Sequence, residues 1–209
     1  YSASGTSLTL TSATASSDDM YCVYLGKAVQ TVNPPNASVG ASQIVDASIT
    51  SGKLASGVLP ANTPAFEAFA NASVNLSNNT NTKVQANTEI YDTDNCYDNS
   101  TNYRFTPTVA GKYYVYAKGR GDCNGTNDVL RVISYIYKNG AELMNSPQYT
   151  NISNPANFFT PFVSGVVDMN GSSDYVEFFI NVLISSGTPK VFGDSSLRTT
   201  TFGAYKILT

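Results

Sequence analysis

Apolar and polar positions alternate over short stretches of this chain, and clusters of turn-forming residues separate the stretches. Successive side chains of a strand point to opposite faces, so a period of two predicts half-buried β-structure. The pattern runs through residues 7–11, 20–25, 84–91, 103–106, 112–117, 129–137, 163–169, 175–183 and 201–208, all rich in Val, Ile, Tyr, Phe and Thr. Between them lie Ser16-Ser17-Asp18-Asp19, the run from Pro107 to Gly111, Asn139-Gly140, and Asn170-Gly171-Ser172-Ser173-Asp174. Asn-Gly is the strongest short hairpin signal, and residues 170–174 predict a second hairpin between 163–169 and 175–183. Almost nothing carries the 3.6-residue period of an amphipathic helix. The expected fold is all-β, with roughly ten strands after residue 60, the size of a jelly-roll sandwich.

Three segments separate along the chain. Residues 1–35 supply two strands and end at Pro34-Pro35, a stiff non-helical stop. Two strands bury no core alone, so this piece reads as the C-terminal strands of a small β-domain, or packs on copies of itself. Residues 36–60 form a connector too apolar for a free Gly/Ser linker, with Ile44, Val45, Ile49, Leu54, Val58 and Leu59 irregularly spaced. A single chain has nothing here to cover them. Three copies wound about one axis would bury them in one another, giving an oligomeric stalk; a flap docked on the next domain is the alternative. Residues 61–209 hold the main domain.

Composition narrows the function. Charged residues are 13% of the chain and the net charge is −3, which opposes a nucleic-acid partner because phosphate neutralisation needs clustered Lys and Arg. No run of about 18 apolar residues is present to span a bilayer, and no signal peptide is legible. Tyr1 rather than Met opens the sequence, as expected of a fragment or processed product. The absence of His removes the commonest general base and the commonest zinc ligand. No nucleophile has a base beside it, no Gly-rich phosphate loop exists, and Asp pairs such as Asp92 with Asp94 or Asp168 with Asp174 sit in or beside loops without a readable aromatic groove. A non-enzymatic protein is expected.

Specific motifs then appear in order. Pro64-Ala65-Phe66-Glu67-Ala68 is similar to the opening strand of C1q-like domains, which commonly begin Ala-Phe-x-Ala. From Asn95-Cys96-Tyr97-Asp98 through Thr101, Phe105-Thr106-Pro107, Gly111 and Tyr113-Tyr114-Val115-Tyr116, the chain resembles that family's Tyr-Asp-x-x-Thr-Gly-x-Phe-Thr-x-Pro-x-x-Gly-x-Tyr-x-Phe signature. Tyr137-Lys138-Asn139-Gly140, Ser164-Gly165-Val166-Val167 and Thr201-Phe202-Gly203-Ala204-Tyr205 fall where the family places its hairpin, a later strand and the closing strand. The resemblance spans residues 64–209 and implies a C1q/TNF-like jelly-roll head that assembles as a tight homotrimer. Phe66, Phe105, Tyr113, Tyr114, Tyr116, Phe202 and Tyr205 would supply the aromatic bulk of its core and trimer contacts. Two departures stand out: Asn102-Tyr103 where a Gly is usual, and an insertion containing Cys123 after the 112–117 strand.

The earlier segments resemble something more particular. Residues 24–35, Tyr24-Leu25-Gly26-Lys27 onward to Pro34-Pro35, followed by Ile49-Thr50-Ser51-Gly52-Lys53-Leu54, look like distal modules of bacteriophage tail fibres. There a small β-domain feeds a stalk with Val/Ile-Thr-x-x-Lys-Leu repeats and then a receptor-binding tip. The resemblance implies an extracellular virion protein whose partners are itself, a bacterial surface glycan or protein, and upstream fibre or baseplate proteins. A purely structural trimerisation cap and a glycan depolymerase are the other readings.

Four features invite chemistry. Asp92, Asp94 and Asp98 gather oxygens as a calcium loop does, but without the central Gly and bidentate Glu of an EF-hand; Asx turns explain the same letters, and no other cofactor is expected. Cys96 and Cys123 lie in Asn/Asp/Gly-rich loops, where either a loop-to-loop disulfide in an oxidising milieu or separate thiols would fit, while Cys22 reads as a buried thiol. Arg120-Gly121-Asp122 spells an adhesion tripeptide that three letters produce by chance. Sequons at Asn36, Asn71, Asn75 and Asn151 are expected at random in so Asn/Ser/Thr-rich a chain.

Overall fold

The computed structural model of the chain describes residues 1–19, 21, 36–54, 62–124 and 127–208. Seventeen strands form among them: β1 (Ser2–Ser4), β2 (Ser7–Thr9), β3 (Ala65–Phe69), β4 (Ala72–Asn75), β5 (Thr82–Lys83), β6 (Thr88–Asp92), β7 (Tyr97–Asp98), β8 (Arg104–Phe105), β9 (Gly111–Lys118), β10 (Gly121–Asp122), β11 (Val129–Lys138), β12 (Ala141–Tyr149), β13 (Phe158–Phe159), β14 (Phe162–Met169), β15 (Val176–Ile184), β16 (Lys190–Asp194) and β17 (Thr201–Leu208). The helical turns described are two single-turn 3-10 helices, Ala41–Gln43 and Ser51–Lys53.

Two compact units result, Tyr1–Leu54 and Ala55–Thr209. In the first, β2 pairs antiparallel with β1 across Gly5, whose φ of +61° suits a tight turn. The predicted 7–11 strand is therefore present, but its partner is the segment before it. Apart from Tyr21, the predicted 20–25 strand lies outside the described residues, as do Cys22, Pro34-Pro35, Val58 and Leu59.

The second unit is a sandwich. One sheet runs β14-β9-β17-β3-β6, the facing sheet runs β12-β11-β15-β8-β7 with β5 added on β15, and a smaller sheet runs β13-β10-β16-β4. Every pairing described is antiparallel. The chain passes repeatedly between the two larger sheets: β9 lies in the first, β11 and β12 in the second, β14 in the first, β15 in the second and β17 in the first. That alternation is the C1q/TNF-like jelly roll expected from the sequence.

Local chemistry explains the turns. Asn139 and Gly140 both take left-handed backbone, φ 53° and 78°, as a two-residue type I′ loop between paired Lys138 and Ala141 requires. The expected hairpin at 170–174 is instead a crossover, because β14 pairs with β9 while β15 pairs with β11. Both strands carry apolar side chains toward the same core, Val163, Val167 and Met169 from one and Val176, Phe178, Ile180 and Val182 from the other. Facing sheets bury both sets; side-by-side pairing would not bring them face to face. Asn170 Oδ1 closes the crossover by accepting from the backbone N–H groups of Ser172, Ser173 and Asp174 at 2.9–3.0 Å. The predicted 84–91 strand also divides. Val84 and Ala86 turn into the core, and regular pairing begins only at Thr88.

Phe66 is the centre of that core. Its ring stacks on Tyr97 at 4.4 Å and Phe105 at 4.7 Å and meets Phe202 edge-on at 5.0 Å. Such aromatic pairs contribute about 0.5–1.5 kcal/mol each beyond their buried area. Phe66→Ala removes three ring contacts and opens a cavity between the sheets, so it should cost about 3–5 kcal/mol, read as a lowered urea midpoint at unchanged m-value.

Candidate functional site

Strand alternation sorts the predicted aromatic residues onto two faces. Tyr113, Val115 and Ala117 of β9 point into the core with Phe66, Phe105 and Phe202, all fully buried. Burial pushes the Tyr113 phenol up to about 12. Tyr114 and Tyr116 project from the opposite face of the β14-β9-β17-β3-β6 sheet, and Tyr205 stands directly across from Tyr114. Ring centroids of Tyr114 lie 6.1 Å from Tyr116 and 5.6 Å from Tyr205. Gly203 sits beneath this group, where a Cβ would come within 2.4 Å of the Tyr116 ring.

Two hydroxyls of this tyrosine face have partners. Tyr116 donates to Glu67 Oε2 at 2.7 Å and Tyr114 donates to Ser164 Oγ at 2.9 Å. Burial first, and then the Glu67 carboxylate, push the Tyr116 phenol well above its usual range. Cross-strand pairing adds Tyr91 opposite Glu67, Val166 opposite Tyr114 and Phe162 opposite Lys118, so all three share this face. Tyr91, Phe162 and Val166 are 41%, 51% and 54% exposed, a dense apolar surface for one side of a sheet. Tyr91, Phe162, Val166 and Glu67 were not singled out from sequence. Alternation gives each a face, but only register shows that they gather around the tyrosines.

The three calcium candidates are not brought together as ligands. Asp92 Oδ2 accepts from Tyr97 N at 2.8 Å and its Oδ1 from Asp94 N at 3.3 Å; Asp94 accepts from the Thr93 hydroxyl. Asp98 is a loop staple. Its Oδ1 accepts from the N–H groups of Ser100 and Thr101, and its Oδ2 from the backbone and side-chain nitrogens of Asn102, at 2.7–3.1 Å. These bonds, led by that from Thr101 N–H, hold the Asp98 carboxyl well below its ordinary range. Among the described residues no group of three or more His, Cys, Asp or Glu side chains is placed to hold a metal. The Asx-turn reading accounts for these carboxylates. Tyr103, at the position where the C1q-like pattern usually has Gly, adopts φ 49°, the left-handed conformation that a Gly would accept without strain.

Beside this loop opens a polar cleft of about 600 Å³, lined in part by Glu89, Asn95, Asp98, Asn99 and Arg104. The Arg104 guanidinium lies over the Tyr175 ring at 4.6 Å.

The candidate disulfide is not formed, because its cysteines lie beyond opposite ends of β9. Cys96 is a buried thiol near Thr108, before β9, and Cys123 follows β10, with its Sγ donating to the Ser186 carbonyl at 3.1 Å. Burial pushes the Cys96 thiol up. The adhesion-like tripeptide is structural. Arg120 and Asp122 bond each other at 2.7 Å, Asp122 is buried, and a Cβ on Gly121 would come within 2.5 Å of Val132. The Arg120 guanidinium is held between Phe158 and Phe192, 4.0 and 4.2 Å from their ring centroids.

No family model matches the chain, and no curated protein matches it. Solved structures similar in fold include Eiger TNF from S. frugiperda, at 11% identity over 68% of this chain and 91% of that one, with a TM-score of 0.47. Murine APRIL at pH 5.0 is similar at 9% identity over 68% of this chain and 98% of that one, with a TM-score of 0.49. The strand order set out above, rather than these values, defines the head as a C1q/TNF-like jelly roll. Among the described residues no helix is long and apolar enough to cross a membrane.

The Asp98 staple has a pH signature. A carboxylate whose pKa is depressed on folding stabilises the fold above its unfolded value of about 3.9, and that contribution is lost as pH falls toward the folded value. Asp98→Asn lacks this charge at every pH and places a donor against the Asn102 N–H. Its urea midpoint should lie below the wild type at about pH 7, and the gap should narrow at about pH 3, where Asp98 takes up a proton in the unfolded wild-type chain while the folded carboxylate stays ionised.

Proposed function

We propose that this chain is the distal part of a bacteriophage tail fibre, in which residues 1–35 end a small β-domain, 36–60 form a stalk connector and 61–209 form a head that trimerises and binds the host surface without catalysis. The observation that carries this reading is the tyrosine face. A sandwich needs only the inner faces of its sheets to build a core, yet this sheet also presents Tyr91, Tyr114, Tyr116, Phe162, Val166 and Tyr205 on its outer side. Two further copies of the chain, arranged about a threefold axis, would cover that face and remove its apolar area from water at roughly 25 cal/mol per Å².

The connector supports the same reading. Val39, Ile44, Val45 and Ile49 are exposed in it, at 50%, 41%, 76% and 50%. Parallel copies of this segment would bury those side chains in one another. The resemblance of residues 24–35 and 49–54 to fibre modules supplies the viral, extracellular setting, with upstream fibre or baseplate proteins and a bacterial surface glycan or protein as partners.

The full chain should sediment at three times the mass of one chain, and Val166→Arg combined with Tyr91→Arg should convert it to folded monomers. Both positions are exposed in one protomer, so near-UV circular dichroism should stay native. A fluorescent wild-type protein should coat some members of a panel of bacterial strains, and the monomeric variant should wash off. A monomeric wild type would defeat the proposal. A wild-type trimer that coats no strain would favour a structural cap over a receptor-binding tip.

A further inference from the structure

We infer that the polar cleft between β6, β7 and β8 is a subsite for a neutral saccharide, an inference that rests on the surface-binding reading above and names its ligand class. The cleft, about 600 Å³, falls within the roughly 300–1,000 Å³ of small-ligand sites. Its apolar lining is limited to Cys96 and Tyr97, both already buried in the core. The rest is Asn95, Asn99 and Asn102 amides, the Ser100 and Thr106 hydroxyls, and the charged Glu89, Asp98 and Arg104. Sugar hydroxyls both donate and accept, and amides, hydroxyls, a guanidinium and carboxylates match that duality. An apolar ligand would find no wall to cover it.

The state of two charged side chains in the lining sharpens the assignment. Glu89 offers only acceptors and Arg104 only donors, and both line the same cleft. Yet the ion pairs formed among the described residues are Lys83–Glu177, Lys112–Asp168, Arg120–Asp122 and Lys138–Asp174, none of which uses Glu89 or Arg104. No described hydrogen bond engages either side chain. Arg104 is positioned by stacking on Tyr175, which leaves its donor fork available. A ligand with several hydroxyls, lying between the two, would satisfy both.

Charge selects against acidic ligands. Glu89 and Asp98 outweigh Arg104 within the lining, and burial first, then the negative charge of Asp92, raises the Glu89 carboxyl. A phosphate or uronate would meet repulsion, whereas an uncharged sugar would not. The cleft is also held in shape before any ligand arrives. Asp98 fixes the 98–102 loop through its four bonds to backbone and side-chain nitrogens of Ser100, Thr101 and Asn102. Asn95 and Tyr103, at its margins, hold left-handed backbone with φ 53° and 49°.

Saturation-transfer NMR on the full chain tests this with glucose, galactose, rhamnose and N-acetylglucosamine as neutral probes, and glucuronate and glucose 6-phosphate as acidic ones. At least one neutral sugar should bind with millimolar affinity. Glu89→Ala, an exposed position outside the core, should weaken it by about tenfold, the size expected for losing a hydrogen bond to a charged group. Asn99→Trp, which fills the cleft, should abolish the signal. Tighter binding of the acidic probes, no binding of any neutral probe, or neutral binding that Glu89→Ala leaves unchanged would each overturn the inference. The strain-coating assay separates it from the parent proposal: a trimer that coats cells equally well with Glu89→Ala keeps the fibre-tip reading and sinks the saccharide cleft.

Discussion

The stack of Phe66 between Tyr97 and Phe105, closed edge-on by Phe202, is the contact on which the head depends. Phe66 and Phe202 belong to one sheet, Tyr97 and Phe105 to the other, so these rings are the pin between the layers. Tyr97 cannot leave the stack without consequence, because its hydroxyl donates to the Ala86 carbonyl and its N–H to Asp92. Asp98 follows it immediately and staples Ser100, Thr101 and Asn102. The geometry of the polar cleft thus descends from an apolar contact inside the sandwich, and the loop is anchored to the core beneath it.

Period-two alternation then does the rest of the sorting. Once Tyr113 is committed to the core, Tyr114 and Tyr116 must leave by the opposite face, and the register with β14, β17 and β3 gathers Val166, Tyr205 and Glu67 around them. Aromatic residues on the outside of a sheet expose apolar area, and their hydroxyls would be costly to bury alone. Here Tyr116 and Tyr114 already donate to Glu67 and Ser164. A partner covering the rings would therefore leave those donors paired.

Much of the fold was legible because its signals are local. Asn139-Gly140 needs no tertiary context to form its turn, and the closing strand at 201–208 shows its alternation in isolation. Failures came where pairing partners decide. Residues 170–174 contain hairpin letters, yet the strands they join prefer other neighbours, and nothing within those five residues records that. Cys96 and Cys123 both sit in loops, and only the length of β9 between them shows that their loops lie at different ends. The Arg120-Gly121-Asp122 tripeptide is the opposite case: its letters suggest display, while Gly121 is required because any Cβ there would come within 3 Å of Val132 and Val182. The cleft was invisible in sequence for a physical reason, since Glu89, Asn99 and Arg104 converge only after β6, β7 and β8 are placed by the aromatic stack.

The two proposals are linked through valency. A cleft lined by amides, hydroxyls, two carboxylates and one guanidinium gains little from any single hydrogen bond, because each bond to a sugar replaces one to water at a net of about 0.5–3 kcal/mol. Millimolar affinity is the natural result at one site, and alone it would not hold a particle to a cell. Three clefts carried on one proposed trimeric head would change the arithmetic, since the second and third encounters would occur at the high effective concentration set by the first. On that proposal the tyrosine face would be as necessary to adhesion as the cleft, although it would touch no sugar. Weak, reversible contacts at each site also let a fibre release and rebind while exploring a surface, which a single tight site would prevent.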